Sequence, residues 1–377
     1  MARPETEPPS PRRWALLLGA LLAGALGAGL MFAVLAGMGF LDDSADPVAS
    51  PPVTIVERVT ELVPVDPNTG SSAEAVGRKV IPSIVTVEVG DSTVEGQLSA
   101  FGSGSGVVLG GDGLIVTNHH VVDGAEGSQV IFEDGSIYQA ELIGSDPLTD
   151  LAVLQIDAQG LTPIELGSTA NLVVGQPAIA VGNPLGQEGG ASLTVGVLSA
   201  FNREVQFSDG SRLSGMLQTD APITSGSSGG ALVDIEGQLI GITSAIGVSE
   251  AGAEGIGYAT PVELVQRITT EIVDTGTVRH AFLGIEGQDH FAPQPDGAVR
   301  PEGAEIATLL GESAAGDAGL QEGDIIVRMD DRQVNTMQDL VLSLRLYRVG
   351  SEVELEVVRG GQIVAATVVL GERPDDP

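Results

Sequence analysis

Three segments carry the residue types that nucleophilic hydrolysis needs: an oxygen made reactive by a neighbouring base, and a third group that fixes the base's tautomer. "TNHHVVDGA" holds His119 and His120 at the end of an apolar run, and "SDPLTDLAVLQI" holds Asp146 and Asp150 just before another. "GSSGGALV" sets Ser227 and Ser228 among glycines, where the backbone can turn tightly and aim N–H groups at one point to stabilise an oxyanion. Each piece alone is weak, since a glycine-serine run also reads as a flexible turn, a histidine beside an apolar run as structural, and an aspartate before a strand as a turn cap. Their combination on a strand-rich background points to hydrolysis.

The elements around them are short Val/Ile-rich runs cut by Gly and Asp, from "SIVTVEV" at Ser83 to "LAVLQID" at Leu151. Such closely punctuated runs predict many antiparallel strands in a barrel or sandwich. Glu133-Asp134-Gly135-Ser136 reads as a hairpin turn. "PVELVQRITTEIVDTG" predicts a closing helix, with Val262, Val265, Ile268 and Ile272 on one face and Gly276 as its C-cap. A smaller α+β or β module follows from about 280 to 372, with one good helix in "TMQDLVLSLRLYR".

Ahead of both lies a run from Trp14 to Leu41 without a charged residue, 28 residues long. That exceeds the roughly 20 needed to cross a bilayer. Arg12 and Arg13 before it and Asp42 and Asp43 after it keep residues 1–13 cytoplasmic and send the rest across. A cleaved signal peptide is the competing reading, disfavoured by the length. Residues 42–74 read as a tether.

The composition excludes several classes. With 17 Lys+Arg against 51 Asp+Glu, net charge −34, nucleic acid is not a partner, because phosphate binding needs clustered cations. The absence of cysteine removes disulfides, thiolate zinc sites and a Cys nucleophile. The four histidines, 119, 120, 280 and 290, show no H-E-x-x-H spacing, so no metal and no other cofactor is expected. "GSGSGVVLGGDG" lacks phosphate-loop spacing and reads as a hairpin.

The order His, Asp, Ser is that of chymotrypsin-like enzymes. Beyond it, "TNHHVVDGA", "DPLTDLAVL", "GNPLG", "LTVGVLSA", "QTDAPI" and "GIGYATP" resemble, in sequence order, the trypsin-like serine proteases of the HtrA/Deg type. The resemblance implies a mainly β fold: a chymotrypsin-like double β-barrel over 75–276, a PDZ domain over 280–372 and the N-terminal transmembrane helix at 14–41. It places the base on His120, the orienting acid on Asp150 and the nucleophile on Ser228, with backbone N–H groups of Gly226, Ser227 and Ser228 forming the oxyanion hole. The chain departs from the family's Asn-Pro-Gly-Asn before the serine, having Thr224, Ser225, Gly226 and Ser227, and Ala231 stands where a proline is frequent. Pro222, six residues before Ser228, replaces the aspartate of a Lys/Arg-selective pocket. Small to medium aliphatic residues before the cut are expected, held by Ile223, Thr224, Thr243, Ser244 and Ala245.

In the second domain "FLGI", Phe282, Leu283, Gly284 and Ile285, resembles the PDZ loop that receives a peptide's terminal carboxylate, and Leu340 and Leu344 would face its last side chain. The expectation is a membrane-anchored, single-pass serine endopeptidase with its catalytic and PDZ domains outside the cytoplasm. It would act on unfolded or damaged envelope proteins, or on one signalling client, as a homotrimer. The alternative is a catalytically silent PDZ scaffold or holdase.

Overall fold

Short Val/Ile-rich strands broken by glycine turns form two closed six-stranded antiparallel barrels in a computed structural model that describes residues 72–92, 98–183, 190–206, 212–224, 226–244 and 255–374. The first barrel is built from β1 (Ile84–Ser92), β2 (Leu98–Val108), β3 (Leu114–Thr117), β4 (Gly127–Ile131), β5 (Ile137–Asp146) and β6 (Leu151–Ile156). The second has β7 (Pro177–Gly182), β8 (Ser192–Gln206), β9 (Arg212–Thr219), β10 (Ala231–Val233), β11 (Leu239–Ser244) and β12 (Gly257–Pro261). The expected hairpin between β4 and β5 closes through Gly135 N–H to Phe132 C=O, 3.0 Å, with Gly135 at φ +83°.

Helix α1 (Ser72–Val80) begins inside the stretch read as tether, because Val76 and Val80 are buried against the barrels. A second short helix, α2 (His119–Val122), follows β3. α3 (Val262–Thr275) buries Val262, Val265, Ile268 and Ile272 in a core shared with both barrels, and ends where Gly276, at φ +76°, donates its N–H to Ile272 C=O. Each such fully buried aliphatic side chain contributes about 1.5–3 kcal/mol.

The C-terminal module pairs β13 (Ala281–Phe282) with β20 (Gly371–Glu372). Its larger sheet runs β14 (Ile285–Pro293), β15 (Val299–Leu309), β16 (Ile325–Met329), β18 (Glu352–Arg359) and β19 (Gln362–Val369), with β17 (Arg332–Gln333) on β16. Helix α4 (Ala314–Asp317) is short; α5 (Met337–Leu344) starts at a capping box between Thr336 and Asp339. β14 pairs on one side only, so its other edge is open beside α5. Among the described residues no helix is long and apolar enough to cross a membrane; the run 14–41 lies outside them.

Candidate active site

Antiparallel pairing of β3 with β6 sets Thr117 opposite Ala152, which brings the residues just past one strand to those just before the other. His120 and Asp150 therefore meet. His120 Nδ1 lies 2.9 Å from Asp150 Oδ1 and 2.8 Å from Oδ2, and the His120 backbone N–H donates to Oδ1 at 3.0 Å. The carboxylate is buried, and Ser244 Oγ donates to Oδ2 at 2.8 Å. A carboxylate at Nδ1 keeps the proton there and leaves Nε2 with its lone pair, the form a general base needs. Asp150 has φ +55°, a conformation that an aspartate tolerates at some cost. Asn118 Nδ2 secures it by donating to the Asp150 carbonyl at 2.8 Å, although Asn118 stands where it would otherwise cap α2.

The other members of each pair are engaged elsewhere. His119 Nδ1 lies 3.0 Å from Ser145 Oγ, and Asp146 faces His280 Nε2 at 3.0 Å.

The serine segment is held on both sides. Ser228 C=O accepts from Ser105 N–H at 2.8 Å, Gly229 N–H donates to Thr243 C=O at 2.8 Å, and Thr243 N–H donates to Gly230 C=O at 2.9 Å. Gly229 has φ +83°, and a Cβ there would lie 2.2 Å from the Ser105 carbonyl and 2.4 Å from Thr117 Oγ1. A Cβ at Gly104 would lie 2.8 Å from the Val121 methyls, next to His120, and 3.2 Å from the Ser228 carbonyl, so only glycine fits between the two segments. These contacts bring the serine loop to the histidine segment. Ser228 is 4% exposed, and its hydroxyl has no hydrogen-bond partner among the described residues. Serine-to-histidine bonds of this kind often tighten only with substrate present.

Ser227 N–H donates to Thr224 C=O at 2.9 Å, closing a turn with Gly226 in third place at φ +89°. Glycine adopts a positive φ in that place without strain. The turn corrects the expected set of oxyanion donors. Ser227 N–H is consumed, whereas the N–H groups of Gly226 and Ser228 carry no hydrogen bond among the described residues. Ser105 Oγ holds the loop by donating to Gly226 C=O at 2.7 Å while accepting from Asn183 N–H at 2.8 Å.

A narrow cleft is lined by Ser227, the neighbour of Ser228, with Ala180, Gly182, Thr194, Pro222, Thr224 and Thr243. Its free volume of about 20 Å³ holds hardly more than one water. Of the residues expected in the pocket, Thr224 and Thr243 line this cleft. Ile223 does not; it is buried in the core of the second barrel. Ser244 turns to Asp150 instead of the cleft, and Ala245 lies outside the described residues. The walls from β7 and β8, and Ser105, Asn118 and Ser244 as supports, had no local sequence signal, because each acts on a segment remote along the chain.

In the C-terminal module, Phe282, Leu283, Gly284 and Ile285 line a groove of about 320 Å³ with Leu340 and Leu344 opposite. Gly284 is at φ +77°, and the N–H groups of Leu283 and Gly284 carry no hydrogen bond among the described residues. Arg345 and Arg373 line the same groove. Free N–H groups with nearby guanidinium groups suit a carboxylate.

Residues 104–242 match the family model of a trypsin-like peptidase domain, and 282–370 that of a PDZ domain. The chain is 35% identical over 366 residues to the serine protease PepD of Mycobacterium tuberculosis, covering 92% of this chain and 75% of the relative. A probable periplasmic serine endoprotease, DegP-like, of Chlamydia muridarum is 37% identical over 277 residues, covering 72% of this chain and 54% of its own length. Among solved structures, the HtrA-type protease AlgW with a tripeptide is 33% identical at a TM-score of 0.64, covering 81% of this chain and 98% of its own. The serine endoprotease from Yersinia pestis is 31% identical at a TM-score of 0.56, covering 81% and 100%.

Proposed function

The chain belongs to the HtrA/Deg family of trypsin-like serine endopeptidases with a C-terminal PDZ domain, and from that premise we propose that His120, Asp150 and Ser228 are its catalytic residues. The observation that carries this reading is His120 Nδ1 held against both oxygens of a buried Asp150 whose own orientation Ser244 secures. His120 Nε2 takes the proton of Ser228 Oγ as that oxygen attacks the peptide carbonyl, and returns it to the leaving amine. Asp150 stabilises the imidazolium formed between these steps. The N–H groups of Gly226 and Ser228 receive the oxyanion. The narrow cleft supports a small residue before the cut.

Unfolded or damaged proteins beyond the cytoplasmic membrane are the proposed substrates, with peptide termini taken in the groove at Phe282–Ile285. The charge-free run 14–41 supports a membrane anchor with a cytoplasmic N-terminus, and the family relationship supports a homotrimer. The test is digestion of unfolded casein by the purified chain. Wild type cleaves, Ser228→Ala does not, and Ser227→Ala retains a substantial part of the rate; the reverse order for the two serines overturns the assignment. A second reading, the silent PDZ scaffold, draws on the unpartnered Ser228 hydroxyl and the departure at Thr224–Ser227. Peptide binding without any casein cleavage would establish it.

A further inference from the structure

The larger sheet of the C-terminal module has two edges, and only one of them is protected. β14 carries Glu286 and Asp289, shifts register against β15 at Glu286/Gly287 and at His290/Phe291, and lies beside α5. β19, at the other edge, has none of the features that keep edge strands from pairing: charges, proline, a bulge or short length. Its eight residues, Gln362–Val369, include no charged residue, glycine or proline, and it pairs with β18 without a register shift. Among the described residues no strand lies on its outer side. Ile363 is 69% exposed and Val369 58%, with Ala365 and Thr367 exposed between them on the same face.

Charge constrains the occupant of this edge. At net charge −34, copies of the chain repel one another wherever carboxylates meet. β19 offers a strip free of them. On β18, Glu352, Glu354 and Glu356 stand opposite Val369, Thr367 and Ala365, and Glu356 is already paired with Arg328 Nε at 3.1 Å. With two β19 strands side by side, the two β18 strands are three strand spacings apart, about 14 Å. That exceeds the screening length of about 8–10 Å near physiological salt. The strand is also self-complementary. Antiparallel pairing about a two-fold axis at Ala366 sets Ile363 opposite Val369 of the second copy and Ala365 opposite Thr367, each pair twice, with Val364 opposite Val368 on the other face. A slip of one residue turns the exposed face of one copy against the core face of the other.

We propose that β19 is a self-association edge: two copies of the chain pair their β19 strands antiparallel about a two-fold axis at Ala366, making one continuous sheet of two. The contact is isologous and closes on itself, so it doubles whatever assembly the chain otherwise forms. A single strand pair buries little surface, which makes the association weak and concentration-dependent. It leaves the catalytic residues untouched.

The purified full chain is tested by sedimentation and by cysteine pairing, which is unambiguous because the chain has no cysteine of its own. In wild type the particle mass rises reversibly with concentration to twice its dilute value. Ile363→Lys combined with Val369→Lys, both at exposed positions, sets like charges opposite each other across the axis. It moves the midpoint of the rise to a concentration at least about tenfold higher, with the melting temperature and the casein cleavage rate of dilute enzyme unchanged. An oxidised mixture of Ala365→Cys and Thr367→Cys chains gives a cross-linked dimer on a non-reducing gel, and either variant alone gives far less. A constant mass over the whole range, a doubling that the two lysines leave in place, or no cross-link in the mixture overturns the pairing. So does a constant mass together with weaker casein binding by the lysine variant, which assigns the edge to an extended client segment instead.

Discussion

Replacing Ser105 by alanine tests whether the oxyanion turn is held from the first barrel. The hydroxyl is fully buried, donates to Gly226 C=O at 2.7 Å and accepts from Asn183 N–H at 2.8 Å. Its removal strands a buried carbonyl, which costs about 1–3 kcal/mol, and an N–H that water can partly reach, which costs less; a loss of about 2–4 kcal/mol of stability is expected. The larger consequence is kinetic. Gly226 keeps its left-handed conformation through bonds on both sides, Ser227 N–H to Thr224 C=O and Gly226 C=O to Ser105, and only the first survives. Complete loss of one oxyanion donor costs about 10²–10³ in kcat, so a loosened Gly226 N–H is expected to lower kcat at least tenfold, with KM little changed. Steady-state cleavage of a casein-derived peptide and urea unfolding, on the same preparations, read the two effects. A kcat within about threefold of wild type alongside the expected loss of stability would refute the oxyanion argument and leave Ser105 a packing residue. Unchanged stability would refute the hydrogen-bond argument itself.

Other outcomes follow from the same geometry. Gly229→Ala places a Cβ 2.2 Å from the Ser105 carbonyl at φ +83°, so more than about 3 kcal/mol of stability is lost, and recovery of a wild-type melting temperature would contradict it. Burial pushes the Asp146 carboxyl up, but the hydrogen bond and charge of His280, with the Thr149 hydroxyl and Leu148 N–H, outweigh it and hold it below 3.8. A carboxyl depressed in the folded state stabilises above its unfolded value and loses that contribution as pH falls through the folded one. Asp146→Asn should therefore flatten the decline of the urea midpoint below pH 3.8, and an unaltered acid limb would refute the assignment. Burial, then the hydrogen bond and charge of Asp330, push the Tyr347 hydroxyl up to about 12. Absorbance titration should show one of the three tyrosines ionising late, and Asp330→Asn should bring it down.

Local pattern carries a good part of this protein. Runs of Val and Ile cut by glycine specify strands because side chains alternate with a period of two, and "PVELVQRITTEIVDTG" specifies α3 because its apolar residues recur at the helical period. The residue types for hydrolysis are legible for the same reason, since each is embedded in a short segment whose turn or strand-end character is local. Residues 72–74 read as tether although α1 begins at Ser72, because that short helix is stabilised by Val76 and Val80 packing on the barrels, a contact its own composition does not show.

The sequence alone carries the strand runs, the helices α3 and α5, the absence of cysteine chemistry, and the three segments able to supply a nucleophile, a base and an acid. Only the tertiary structure decided which atoms meet. His119 goes to Ser145 and His120 to Asp150; Asp146 goes to His280; Ser244, 94 residues along the chain, supports Asp150; Ile223 retreats into the core; and Ser227 spends its N–H on Thr224. The physical reason is barrel closure. Pairing of β3 with β6, and the packing of β2 against the serine loop, set distances between residues far apart in sequence, whereas propensity and periodicity act only between near neighbours.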